Sequence, residues 1–139
     1  MSPAFVLDAS ITLAWCFPEE ATAASSELLE RMSHDRAAVP SLWFLEVANA
    51  LVAAERRQRI KAEDAAEFLR LLDSFDLDVD DHAEFRAFGH IAGLARSHGL
   101  SVYDASYLDL ARQRRLPLAT LDLPLRSAAD RIGIALLGL

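Results

Sequence analysis

Four acidic residues, widely spaced in the sequence, lie beside apolar segments where a solvated surface does not explain them: Asp8, Glu46, Asp104 and Asp122. Like charges that are brought close together cannot all stay ionised, so a group of carboxylates requires a cation. Oxygen ligands, with no cysteine or clustered histidine beside them, favour Mg²⁺ or Mn²⁺ over zinc. Such an ion can activate a water molecule for in-line attack on phosphorus. The four acids therefore predict phosphodiester hydrolysis.

Each acid also has a purely structural interpretation. Asp8 and Asp122 could cap the helices that follow them, and Ser101 with Asp104 matches a capping box. Glu46 could lie on the wet side of its helix, although its apolar neighbours indicate a carboxylate that must be paired, protonated or metal-bound. The occurrence of all four together favours a shared site over four separate structural roles.

The elements that would position these acids are short apolar runs alternating with helical segments. The predicted strands are 4–7, 37–39, 75–79, 116–121 and 132–137. The predicted helices are 9–15, 18–33, 42–58, 62–73, a segment through Phe85, Phe88 and Ile91 to Ser97, and 102–115. This alternation predicts an α/β fold whose parallel sheet is covered on both faces.

The carboxyl ends of such strands are where ligands bind in an open parallel sheet. Asp8 and Asp122 follow predicted strands directly. Asp104 and Glu46 lie in the first two turns of helices that would begin on the same side of the sheet. The sequence therefore predicts that the four carboxylates face one crevice.

The bulk composition limits the class of protein. A chain of 139 residues with 53% apolar and 25% charged residues predicts a single domain over 1–139. No apolar stretch reaches the roughly 20 residues of a membrane span, and the first residues lack the basic region of a secretory signal. We therefore expect a soluble, cytoplasmic protein. Its only cysteine, Cys16, allows no internal disulfide and is expected to be a buried structural thiol.

A net charge of −7 disfavours a nucleic-acid partner, but the charged residues are unevenly distributed. Basic residues cluster in two places, and they are candidate contacts for RNA phosphates: Arg56, Arg57 and Arg59, and Arg112, Arg114 and Arg115. Solvated helix ends are an equally good explanation of both clusters. Four aromatic residues could stack on bases or bind a partner, although packing is the favoured role: Trp15, Phe17, Trp43 and Phe44.

The segments around the four acids resemble the four motifs of PIN-domain ribonucleases. They read VLDAS at 6–10, PSLWFLEVANAL at 40–51, YDASYL at 103–108 and LATLD at 118–122. In order, spacing and total length they are similar to the VapC toxins of toxin–antitoxin pairs. Each segment alone is a weak signal, but four in order within a chain of this size are specific.

This resemblance implies a three-layer α/β/α sandwich with a central parallel sheet. It also implies a Mg²⁺- or Mn²⁺-dependent endoribonuclease that forms a homodimer and is inhibited by a VapB-type antitoxin. The alternative within the same fold is a catalytically silent module that only binds antitoxin or RNA. The presence of all four acids argues against that alternative.

The resemblance also assigns roles to individual residues. Asp8, Glu46, Asp104 and Asp122 form the acidic metal site. Asn49, one helical turn after Glu46, orients that carboxylate or a metal-bound water. Ser10 and Thr120 supply hydroxyl groups beside Asp8 and Asp122. Asp109 is expected to be an exposed helix residue and not a fifth ligand.

Overall fold

The computed structural model of the protein describes residues 1–139 and contains one sheet of five parallel strands. The strands are β1 (Phe5–Leu7), β2 (Ala37–Pro40), β3 (Leu77–Asp80), β4 (Leu118–Ala119) and β5 (Leu136–Leu137), in the spatial order β3-β2-β1-β4-β5. Strands β1, β2 and β4 are fully buried, as expected for a parallel sheet covered on both faces. The predicted parallel sheet is confirmed, although β4 and β5 are shorter than the apolar runs that contain them.

Seven α-helices connect the strands: α1 (Ala9–Cys16), α2 (Ala23–Arg31), α3 (Leu42–Arg56), α4 (Ala62–Asp73), α5 (Ala92–His98), α6 (Val102–Arg114) and α7 (Leu123–Arg131). Helices α1 to α4 lie in the connections from β1 through β2 to β3, whereas α5 to α7 lie in the connections that return to β4 and lead to β5. Crossovers between parallel strands are right-handed, so the two sets of helices cover opposite faces of the sheet. This arrangement is the predicted three-layer α/β/α sandwich. No helix in the protein combines the length and the apolar character that a bilayer crossing requires.

Helix α3 holds Glu46 against the rest of the fold through a regularly spaced apolar face. Its buried residues recur at helical spacing: Trp43, Val47, Leu51 and Ala54. Full burial of a large apolar side chain contributes about 1.5–3 kcal/mol. The indole Nε1 of Trp43 donates a 3.1 Å hydrogen bond to Thr12 Oγ1 on α1, so this buried polar group is satisfied. The packing therefore fixes the helix that carries Glu46 relative to α1.

Helix α6 is enclosed, because it packs on β1, β2 and β4 and also contacts α5 and α7. All seven residues from 105 to 111 are buried. The sequence predicts an exposed Asp109, and that prediction is wrong, since Asp109 is 1% exposed. Its Oδ2 accepts a 2.6 Å hydrogen bond from Arg86 Nε. A helix without a wet face has no amphipathic spacing that could reveal the burial of one aspartate.

The segment 18–33 does not form the single helix that the sequence predicts. A short 3₁₀ helix at Pro18–Glu20 comes first, and α2 begins after Thr22. Thr22 Oγ1 accepts a hydrogen bond from the Ser25 N–H at 2.9 Å, and Ser25 Oγ accepts one from the Thr22 N–H at 2.8 Å. This reciprocal capping box starts a new helix, so the chain is interrupted between the two elements.

The predicted helix through Phe85 and Phe88 is also irregular. It comprises a 3₁₀ helix at Ala83–Phe85, a π-helix at Ala87–Ile91 and then α5. Arg86 points inward and binds Asp80 and Asp109, so its neighbours Phe85 and Phe88 face solvent. Helix α5 ends at Gly99, which adopts a left-handed conformation with φ 65°.

Candidate active site

The strand order places a switch point between β1 and β4. From β1 the chain continues to β2 and β3 on one side of the sheet, whereas β4 is followed by β5 on the other side. Ligands of open parallel sheets bind beyond the carboxyl ends of the strands at such a point. Asp8 directly follows β1, and Asp122 lies shortly after β4. These two acids therefore flank the crevice in which a ligand is expected.

Asp8 is buried, and two hydroxyl groups hold one of its carboxylate oxygens. Ser10 Oγ and Thr120 Oγ1 donate hydrogen bonds to Asp8 Oδ2 at 2.6 Å and 2.8 Å. Asp8 occupies the position that caps α1, but its side chain makes no capping hydrogen bond. Burial raises the pKa of Asp8, the two hydroxyl groups lower it in part, and the charge of Asp104 raises it further. Asp8 therefore departs from an ordinary helix cap.

Asp122 does cap a helix. Its Oδ2 accepts a hydrogen bond from the backbone N–H of Leu125, in the first turn of α7, at 3.0 Å. Its own backbone N–H donates to Thr120 Oγ1 at 3.0 Å. The Thr120 hydroxyl group therefore links the backbone of Asp122 to the carboxylate of Asp8. The capping interpretation is correct for Asp122, but the cap uses only one of its two carboxylate oxygens.

Glu46 is half-buried on α3 and is held by a tyrosine from α6. The hydroxyl group of Tyr107 donates a 2.5 Å hydrogen bond to Glu46 Oε1. Burial raises the pKa of Glu46, the Tyr107 hydrogen bond lowers it in part, and the charges of Asp8 and Asp104 raise it further. Burial also raises the pKa of Tyr107, and the charges of Asp8 and Glu46 add to the rise. The phenol therefore stays protonated and acts as a donor.

Asp104 lies in the first turn of α6, next to the helix cap. Ser101 Oγ accepts a 3.0 Å hydrogen bond from the Asp104 N–H, so the serine hydroxyl group caps this helix, as predicted. Burial raises the pKa of the Asp104 carboxyl, and the charge of Asp122 raises it further, with Ser101 lowering it in part. Through these mutual effects Asp8, Glu46, Asp104 and Asp122, the acidic group, share one electrostatic environment.

The acidic group has no basic partner. No arginine, lysine or histidine forms an ion pair with any of its members. Asp8, Glu46 and Asp122 each use one carboxylate oxygen in a hydrogen bond and leave the other without a protein partner. Carboxylate oxygens without a hydrogen-bond donor or a basic side chain beside them are the type of ligand that a hard divalent cation prefers. No three acidic, histidine or cysteine side chains in the structure are arranged as a ready metal site.

The sequence pattern does not single out Tyr107. The family resemblance implies instead that Asn49 orients Glu46, but Asn49 is exposed and its side chain makes no hydrogen bond to that carboxylate. The contact of Asn49 with a metal-bound water stays a prediction. One signal could have found Tyr107, because residues three apart share a helix face and Tyr107 lies three residues after Asp104.

The two arginine clusters lie at the far ends of the helices that carry the acids. At 1.5 Å per residue, Arg112 is about 12 Å along α6 from Asp104, and Arg56 is about 15 Å along α3 from Glu46. Arg59 is committed to ion pairs with Glu19 and Glu20. RNA contact by the clusters stays a prediction. They also comprise Arg57, which is exposed, Arg114, which pairs with Asp78, and Arg115, which follows α6 in a left-handed conformation.

The aromatic residues near the site mostly pack. Trp43 and Phe17 are buried, and Trp15 is half-buried with its Nε1 donating to the Ser25 carbonyl at 2.7 Å. Phe44 remains substantially exposed.

Cys16 is half-buried rather than fully buried. Burial raises the pKa of its thiol, which disfavours the thiolate that a nucleophile requires.

Comparisons with known proteins identify similar chains. A family model of the PIN domain matches residues 5–130. Ribonuclease VapC3 of Pyrobaculum aerophilum is 35% identical over 121 residues, which cover 84% of this chain and 88% of the relative. The crystal structure of PAE2754 from the same organism has a TM-score of 0.72 at 25% identity, covering 96% of this chain and 83% of that one. A toxin-antitoxin complex from Klebsiella pneumoniae has a TM-score of 0.58 at 18% identity, covering 86% and 87%, which is a likeness of fold.

Proposed function

This chain belongs to the PIN-domain family, and from that premise we propose that it is a divalent-metal-dependent endoribonuclease, the toxin of a type II toxin–antitoxin pair. The observation that carries the proposal is the acidic group. Four carboxylates from four separate segments influence one another electrostatically, and none of them has a basic partner. The similarity to a protein named as a ribonuclease supports the choice of RNA as substrate.

The acidic group would hold Mg²⁺ or Mn²⁺ through the oxygens that have no protein partner. When bound there, the ion supplies positive charge to the phosphate and lowers the pKa of a coordinated water. Ser10 and Thr120 keep Asp8 in place by donating to Oδ2. Because hydroxyl groups are neutral, they orient the carboxylate without cancelling the charge that attracts the ion. Asp104, only half-buried, would be open to the ion from the solvent side.

The proposed partners are an RNA substrate, a VapB-type antitoxin and a second copy of this chain. The net charge of −7 would repel RNA, and a bound cation reduces that repulsion at the place where cleavage occurs. The fold that this chain shares with a chain of a toxin-antitoxin complex supports the antitoxin as a partner. Static light scattering of the purified chain would test the homodimer.

The decisive experiment is cleavage of total cellular RNA by purified, antitoxin-free protein in Mg²⁺, Mn²⁺ or EDTA. We expect discrete fragments with either metal and none with EDTA. Asp8→Asn should reduce the cleavage rate at least about 100-fold, because it removes several kcal/mol of charge stabilisation. The matched control is Asp130→Asn, which alters an exposed aspartate on α7 and should cleave like the wild type.

Two results would contradict the proposal in different ways. Equal cleavage by the wild type and Asp8→Asn would show that the acidic group is not the active site. No cleavage by folded protein that still binds Mn²⁺ would instead indicate the silent PIN-fold module that binds antitoxin or RNA. Isothermal titration calorimetry with Mn²⁺ on the same preparations separates these outcomes.

A further inference from the structure

The buried phenol of Tyr107 joins two of the elements that carry the acidic group, α6 and α3. Tyr107 is fully buried on α6, one turn after Asp104, and its hydroxyl group donates to Glu46 Oε1 on α3 at 2.5 Å. The charge of Asp8, at the start of α1, also acts on the phenol. The tyrosine therefore lies in the core and touches the one member of the acidic group that comes from α3.

The contact matches the way in which the fold holds Asp8. In both cases neutral hydroxyl groups take one carboxylate oxygen, Oδ2 of Asp8 and Oε1 of Glu46, and the other oxygen is left without a protein partner. An arginine in the same place would hold the carboxylate but would also neutralise it, as Arg86 does for Asp109. A hydroxyl donor orients a carboxylate and leaves its charge available to a ligand.

Glu46 needs such support more than the aspartates do. A glutamate has three rotatable side-chain bonds, and ordering a long side chain costs rotamer entropy. Glu46 is only half-buried, and no other side chain donates to it. Without Tyr107 its carboxylate would be free to turn away from the crevice.

We propose that Tyr107 is a positioning residue for the metal centre: by donating to Glu46 Oε1 it holds Oε2 toward the crevice, where the divalent cation binds. The inference rests on the proposed function. Partners that orient a metal ligand contribute typically 10–100-fold to metal affinity or activity. The same range is expected here.

The test compares Tyr107→Phe with Tyr103→Phe, since these are the two tyrosines of the chain and Tyr103 is exposed on the same helix. Both variants lose one phenol hydroxyl group. We expect Tyr107→Phe to weaken Mn²⁺ binding, measured by isothermal titration calorimetry, 10–100-fold, and Tyr103→Phe to leave it unchanged. In RNA cleavage Tyr107→Phe should lower kcat with KM unchanged, and raised Mn²⁺ should restore kcat.

A double-variant comparison isolates the contact with Glu46. In Glu46→Gln, adding Tyr107→Phe should produce little further loss of Mn²⁺ affinity, because the carboxylate that the tyrosine orients is already gone. Wild-type Mn²⁺ affinity in folded Tyr107→Phe, or the same loss with and without Glu46→Gln, would overturn the inference. If the wild type itself bound no Mn²⁺ and cut no RNA, the proposed function would fail instead.

A spectroscopic measurement keeps the inference testable if Tyr107→Phe does not fold. Tyr107 is the only tyrosine in Tyr103→Phe, so ultraviolet resonance Raman bands of tyrosine report its hydrogen bond alone. Titration with Mn²⁺ should shift these bands, since the acceptor carboxylate becomes a metal ligand, and Glu46→Gln in the same background should abolish the shift. Bands that do not respond to Mn²⁺ would overturn the inference.

Discussion

Helix α6 carries two aspartates, five residues apart, whose surroundings are opposite. Asp104 belongs to the acidic group and has no basic side chain paired with it. Asp109 belongs to an arginine-linked group, in which Arg86 binds Asp109 at 2.6 Å and Asp80 at 2.8 Å. Asp80 and Asp109 are both buried, and so is Asp8 of the acidic group. The chain therefore buries carboxylates in two ways, with and without a basic side chain as counter-charge.

The difference separates structure from function. The arginine-linked group ties the irregular segment 83–91 to β3 and α6, and the guanidinium of Arg86 supplies a counter-charge that its two carboxylates share. In the acidic group, burial and mutual repulsion raise the pKa values of Asp8, Glu46 and Asp104. The same repulsion opposes folding at neutral pH, and a bound cation would relieve it. Buried carboxylates that are oriented by hydroxyl groups but left uncompensated therefore indicate a ligand site.

Arg86→Met should cause the largest loss of stability. It leaves Asp80 and Asp109 buried without their cation, and removing one partner of a buried pair costs about 3–5 kcal/mol. Urea denaturation should show a fall of that size in the free energy of unfolding. The control Arg96→Met removes an exposed arginine without an ion pair and should change stability by less than about 0.5 kcal/mol. Equal free energies of unfolding for the two variants would show that the arginine-linked group does not stabilise the fold.

Mn²⁺ should stabilise the wild type through the acidic group alone. At a concentration 100 times its Kd, a ligand that binds only the folded state adds about 2.7 kcal/mol. Thermal unfolding with and without Mn²⁺ should show this gain in the wild type and in Asp130→Asn, but much less of it in Asp8→Asn. A gain of the same size in Asp8→Asn would place the ion elsewhere.

The pH dependence of stability should have the sign set by raised pKa values. Because the pKa values of Asp8, Glu46 and Asp104 are raised above their unfolded values of about 4, the folded state binds more protons than the unfolded chain at pH values between the unfolded and the folded pKa. The contribution of these three acids to the free energy of unfolding is therefore fully present below their unfolded pKa values and is lost as pH rises through their folded pKa values. Asp78 behaves oppositely, because Arg114 lowers its pKa. The stability that Asp78 contributes to the fold is therefore lost as pH falls through its folded pKa.

Urea denaturation in EDTA from pH 4 to 8 would measure this dependence. Asp8→Asn should reduce the decline that the wild type shows as pH rises, and saturating Mn²⁺ should offset it. A pH profile that neither change alters would mean that the acidic group is not electrostatically strained.

Asp8→Asn should give the smallest of these effects and the most informative sign. Asparagine can still accept the hydrogen bonds of Ser10 and Thr120, while the repulsion within the acidic group is relieved. In EDTA at neutral pH the Tm should rise by a few degrees, corresponding to on the order of 1 kcal/mol. A lower Tm, measured beside Asp130→Asn, would show that the Asp8 carboxylate stabilises the fold as the arginine-linked group does.

Much of the fold could be predicted from the sequence. The buried strands β1 and β2 and the regular helices α3, α4 and α6 correspond to long or sharply bounded patterns, and the structure confirms them. The irregular elements could not be predicted. Whether 18–33 is one helix depends on the capping box of Thr22 and Ser25, and the form of 83–91 depends on where Arg86 finds its partners.

The same division applies to the acidic group and its surroundings. The sequence by itself determined the four acids, their order and their association with strand ends and helix starts, because these follow from local apolar patterning. Only the tertiary structure decided that Tyr107 holds Glu46 and that Asp109 is buried against Arg86. Both contacts join residues far apart in the chain, and their geometry is set by how separate helical segments pack together, which no local pattern encodes.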